Sequence, residues 1–131
     1  MKTKDEIMKL SGRDLDAAVA EALGWDDISI NPSTGHLNGT HRLQSTIIRE
    51  LVPRYSTDIA AAWELVEKMK EDEYWLSASY LVTLHNGSFR AVYEVCFRCV
   101  RAIRGRDDVE ATAIEFPEAI SRAFLLAMAG S

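Results

Sequence analysis

The sequence predicts an α/β chain of the α+β kind: a small antiparallel sheet, a hairpin plus a third strand, layered with helices. Three observations predict it. Asn86-Gly87 separates two alternating runs in "WLSASYLVTLHNGSFRAVYEVCFRCV", the strongest short-range hairpin signal. "YSTDIAAAWELVEKM", residues 55–69, carries apolar residues at helical spacing. "FPEAISRAFLLA" places Pro117 at a first helical position and then runs almost wholly apolar.

The length of 131 residues fits one domain, residues 1–131, able to bury roughly two-thirds of its unfolded surface. Apolar residues make up 47% and charged residues 27%, which places the chain among soluble globular proteins. A formal charge of -5 argues against a surface built to grip nucleic acid, because phosphate contacts need local positive charge. No apolar run approaches the roughly 18 residues that span a bilayer. The start "MKTKDEIMKL" carries acids and lacks the apolar core of a signal peptide. The expectation is a cytoplasmic protein with no membrane contact.

Thr3-Lys4-Asp5-Glu6 has the form of a capping box. Ser11-Gly12-Arg13-Asp14 repeats a weaker version, and Leu15, Ala18, Val19, Ala22 and Leu23 then recur at helical spacing until Gly24 closes the helix. From about residue 26 to 52 the pattern weakens. "NPSTGHLNGTH" is dense in turn formers and reads as a long loop, with a helical turn expected in "QSTIIREL". In the next helix, Ser56 or Thr57 is expected as the cap, with Asp58 in the first turn. Ile59, Ala62, Trp63, Val66 and Met69 form its inward stripe, with Trp63 as a core anchor.

The hairpin's register follows from its turn. With Asn86 and Gly87 as the turn residues, Leu84 faces Phe89, Val82 faces Ala91, Tyr80 faces Tyr93, Ala78 faces Val95 and Leu76 faces Phe97. The reverse face pairs Thr83 with Arg90, Leu81 with Val92, Ser79 with Glu94 and Trp75 with Arg98. A slip of one residue would mix the faces. Cys96 and Cys99 form a C-x-x-C, but in a strand that spacing sends them to opposite faces, so they read as two unpaired cysteines. "VEATAIE" is the third strand. In the last helix Ile120, Ala123, Phe124 and Ala127 point inward, while Leu125, Leu126 and Met128 make it apolar nearly all round.

No nucleophile elbow, zinc-protease, phosphate-loop or dinucleotide fingerprint is present. His36, His41 and His85 are available as ligands, with Asp26 and Asp27 near the first two, but loop spacing imposes no coordination geometry. No catalytic residue, metal ligand or cofactor is assigned, and the chain is not expected to be an enzyme. The feature that departs from the acidic average is basic. Arg90, Arg98, Arg101 and Arg104, with Trp75 opposite Arg98, suit phosphate and a nucleobase. Arg54 and Tyr55 would edge any pocket formed with the long loop. These seven residues are the candidate ligand-binding set, against the plainer reading of outer-face arginines paired with Glu94, Asp107 and Asp108.

Three blocks, "GRDLDAAVAEALGW", "PRYSTDIAAAWELVEKM" and "FPEAISRAFLLA", occur in an order that resembles the phage ABA sandwich domain family of small phage and prophage proteins. The resemblance implies an ABA-sandwich-like layered fold and a phage setting, and it brings no catalytic residues. The functional expectation is a non-enzymatic accessory protein that sequesters a nucleotide-type immune signal. The alternative is a module that binds a host or phage protein. Sheet edges and the apolar last helix lead us to expect a homo-oligomer.

Overall fold

The computed structural model describes residues 3–99 and 108–129, apart from the side chains of Thr83, His85 and Cys99. The candidates Arg101 and Arg104 lie outside the described residues. Helices α1 (Lys4–Lys9) and α2 (Gly12–Ala22) come first, followed by strands β1 (Asp26–Ile30), β2 (Leu37–Leu43) and β3 (Thr46–Leu51). Then come α3 (Ile59–Glu71), β4 (Tyr74–His85), β5 (Ser88–Cys99), β6 (Val109–Ala113) and α4 (Phe116–Ala129). The strands form two antiparallel sheets, ordered β1-β2-β3 and β4-β5-β6.

The first helices start and stop where their caps allow. The Thr3 hydroxyl accepts from the Glu6 N–H at 3.2 Å, satisfying one of the orphan donors at the start of α1. Ser11 precedes α2 but makes no side-chain cap bond. At the far end Gly24 N–H donates to Glu21 O and Trp25 N–H to Ala20 O, both at 3.0 Å. That pair of bonds is a Schellman closure.

The segment 26–52 is a three-stranded sheet, where the sequence led us to expect a loop with a helical turn. The letters of "TIIREL" favour a strand through Thr46, Ile47 and Ile48, and Gln44-Ser45 turns the chain so that Leu43 pairs with Thr46. The signal is weak because much of this sheet stays exposed, so alternation between apolar and polar residues has little to record. Arg49 reaches across the sheet to the Asp27 carboxylate at 3.0 Å and the Ser29 hydroxyl at 3.1 Å. Trp25 stacks on His41, centroids 4.1 Å apart, and His41 bonds Glu50. The indole lies so close over Gly39 that a Cβ there would meet Trp25 at 3.0 Å, which explains the glycine inside the strand.

Two details of α3 differ from expectation. Its N-cap is Asp58, whose carboxylate accepts from the Ala60 N–H at 2.9 Å. Its buried face is Ala61, Ala62, Leu65, Val66 and Met69, while Trp63 is 43% exposed and Ile59 is exposed too. Helical periodicity fits either arc, because the alanine run leaves the stripe's edge undefined. The small side chains won the contact with α4, and Trp63 was turned out.

The β4–β5 ladder has the expected register at every position from His85↔Ser88 to Trp75↔Arg98, and continues to Tyr74↔Cys99. Asn86 and Gly87 both have positive φ, 49° and 80°, the requirement of the type I′ turn that matches strand twist. β6 pairs with the other edge of β5 and brings Ala111 beside Val95. α4 packs on this sheet and against α3 and α2. Ala119, Ile120, Ser121, Ala123, Phe124, Leu125 and Ala127 are all buried, so deep burial explains why this helix is apolar round most of its circumference. Arg122 ties it to its neighbours, donating to Leu10 O and Thr112 O and pairing with Glu118 at 2.6 Å.

Only the base of the hairpin is covered. Val95 and Phe97 are fully buried, whereas Tyr80, Val82, Leu84 and Phe89, on the same face further out, are exposed.

Candidate functional site

The outer face of the hairpin keeps Trp75 beside Arg98, with Trp75 67% exposed. Arg90 shares that face. Eight residues of strand separate it from Arg98, about 27 Å at the rise of an extended chain, further than one small ligand spans. Tyr55 is 3% exposed, and burial first, then the Glu64 charge, pushes its phenol up to about 12. Its ring belongs to the core and does not edge a pocket, because the chain turns inward there, where Tyr55 O accepts from the Ser121 hydroxyl at 2.9 Å. Of the sequence candidates, Arg54 lines a cavity.

That cavity has a volume of about 530 Å³ and three walls. The first turns of α2 contribute Arg13 and Asp16. The β1–β2 turn contributes Thr34, Gly35 and His36. The segment from β3 into α3 contributes Val52, Arg54 and Ser56. Each wall is held by its own backbone bonds. In the turn, Gly35 N–H donates to Asn31 O at 2.7 Å and Asn31 N–H to His36 O at 2.8 Å. Before α3, Asp58 N–H and Thr57 N–H both donate to Arg54 O, at 2.8 and 3.1 Å. The Arg13 guanidinium reaches from α2 to the turn, 3.7 Å from where a Cβ of Gly35 would stand.

The walls are tied together through Asp16. Its carboxylate accepts from the Ser56 N–H at 2.7 Å, and the Ser56 hydroxyl donates to Gly12 O at 3.3 Å. Burial raises the Asp16 carboxyl above its ordinary range, against the Ser56 bonds and the Arg54 charge. The one acid of the cavity is thus spent on structure. Arg13 and Arg54 make no salt bridge among the described residues, and both are solvent-exposed. The absence of a side-chain cap on α2 leaves its leading N–H groups without that partner. Cationic forks beside an apolar wall of Leu37 and Val52 can hold an anion attached to a small organic body.

Sequence reasoning found Arg54 as a pocket edge and missed Arg13, which reads as an ordinary solvated helix arginine. No sequence signal marked it, because Ser11-Gly12-Arg13-Asp14 has the form of a cap, whereas Ser11 makes no side-chain cap bond. His36, weighed there as a metal ligand, lines this cavity instead. Among the described residues no group of three or more His, Cys, Asp or Glu side chains could hold a metal ion.

Helices layered on small antiparallel sheets define the class as an α+β sandwich. The chain matches the Phage ABA sandwich domain over residues 17–125 and belongs to that family. The match runs from inside α2 to inside α4, so it takes in both sheets and, of the cavity's three walls, two with their residues from Thr34 onward. No curated protein matches the chain. Among the described residues, no helix is long and apolar enough to cross a membrane.

Proposed function

We propose that this phage ABA sandwich protein is a non-enzymatic accessory factor that captures a small phosphorylated nucleotide in the α2 cavity and so withholds a nucleotide-type immune signal from its host. The observation that carries this reading is the pair Arg13 and Arg54, both without salt bridges among the described residues, at a cavity of about 530 Å³ in a chain of charge -5. That volume lies within the roughly 300–1,000 Å³ of small-molecule sites. Phosphate oxygens would take the guanidinium forks, and the Leu37 and Val52 wall would take the less polar part of the ligand. The test is calorimetric titration with cyclic oligonucleotides and cyclic ADP-ribose isomers. Loss of a charge-assisted bond weakens binding by about tenfold or more. Arg54→Ala and Arg13→Ala should each do so, while Arg98→Ala leaves affinity unchanged. No heat from any member of the panel refutes the proposal.

A second reading, a module that docks on a host or phage protein, is supported by the exposed apolar outer half of the hairpin. A single stoichiometric protein partner recovered with the wild type, and lost on Phe89→Glu, would favour it over the first.

A further inference from the structure

Strand β4 is the outermost strand of its sheet: among the described residues it pairs with β5 and no other strand. It is 12 residues long and contains no Asp, Glu, Lys, Arg or Pro. Proteins blunt exposed edges with short strands, lysines, prolines or bulges. Here the register with β5 is unbroken from end to end, so no bulge twists the edge away.

The same strand carries an exposed apolar face. Tyr80, Val82 and Leu84, with Phe89 beside them on β5, are between 62% and 81% exposed. A two-residue turn makes His85 and Ser88 a hydrogen-bonded pair, and bonded pairs alternate along the ladder from there. The backbone groups of Tyr80, Val82 and Leu84 are therefore the ones directed away from β5. Unpaired edge and exposed face belong to the same residues.

We infer that β4 pairs antiparallel with β4 of a second copy across a two-fold axis, joining two three-stranded sheets into one of six strands. Two arguments select a second copy as the occupant. Antiparallel self-pairing sets even-numbered residues against even-numbered residues, so the apolar faces run on continuously. The strand bears no charge, so the -5 of each chain creates no repulsion at the seam, and a charged partner would find nothing there to read. This pairing is independent of any ligand in the α2 cavity.

The test uses the whole chain. Sedimentation equilibrium should give a dimer that dissociates on dilution. Val82→Glu with Leu84→Glu, both at exposed positions, should give a monomer with an unchanged circular dichroism spectrum. In the wild-type dimer the Tyr80 and Val82 amides should exchange slowly with solvent and lose that protection in the double variant. The inference is overturned by a wild type that is monomeric at all concentrations, by a dimer that survives the two glutamates, or by a dimer whose Tyr80 and Val82 amides exchange freely.

Discussion

The Asp16 carboxylate accepts a hydrogen bond of 2.7 Å from the backbone N–H of Ser56, 40 residues further along the chain. This contact joins the start of α2 to the lead-in of α3 and fixes two walls of the cavity relative to each other. Asp16→Ala would leave a buried N–H without its acceptor, at a cost of about 1–3 kcal/mol. The variant should unfold at correspondingly lower urea, and an unchanged midpoint would contradict the role given to Asp16.

The same residue sets a pH dependence. Burial raises the Asp16 pKa above its ordinary 3.8, so the folded state holds this proton more tightly than the unfolded chain. The resulting stabilisation is fully present below about pH 3.8 and is lost as pH rises through the raised value. Asp16→Asn keeps an oxygen to accept from Ser56 and removes the titration. Melting temperatures of the two proteins, compared from acid to neutral pH, should show the wild type losing ground to the variant as pH rises. A difference that does not change with pH would contradict this.

Tyr55 makes the corresponding prediction at alkaline pH. With its phenol pushed up to about 12, the folded state favours the neutral ring. This stabilisation holds below pH 10 and disappears as pH rises through about 12. Tyrosinate absorbance assigned by subtraction of Tyr55→Phe should therefore rise only with unfolding.

Phe124 is fully buried on α4, where that helix meets the rest of the core. Phe124→Ala should cost about 3–5 kcal/mol, read as a fall in the denaturation midpoint. Gly87 makes a smaller and more local prediction. Its φ of 80° disfavours any side chain, although no atom stands within 4 Å of a Cβ there. Gly87→Ala should cost roughly 1 kcal/mol through backbone strain alone, with faster amide exchange confined to the outer hairpin.

What the sequence made legible follows from where physics leaves one-dimensional traces. A type I′ turn needs positive φ at two successive residues, and Asn86-Gly87 announces it. The alternation on either side then fixes every pair. Thr3 and Gly24 mark helix ends for equally local reasons. The first sheet left little trace, because Leu43, Ile47 and Leu51 stay exposed and its turns resemble loop. Trp63 misled because the alanines of α3, small enough for close packing, claimed the inward arc. The cavity is assembled from three segments far apart in the chain. Arg54 was visible beside a loop, but nothing in the spacing joins it to Arg13. Arg90 and Arg98 share a strand face, but the eight residues of extended strand between them turn closeness in sequence into distance.

The most direct test of a ligand site at α2 is a chemical-shift titration of the labelled protein with a cyclic dinucleotide and with a cyclic ADP-ribose isomer. Saturable shifts are expected at the backbone amides of Arg13, Gly35, His36 and Arg54, with the hairpin amides of Trp75, Arg90 and Arg98 unmoved. Shifts confined to the hairpin face, or none with either compound, would contradict it.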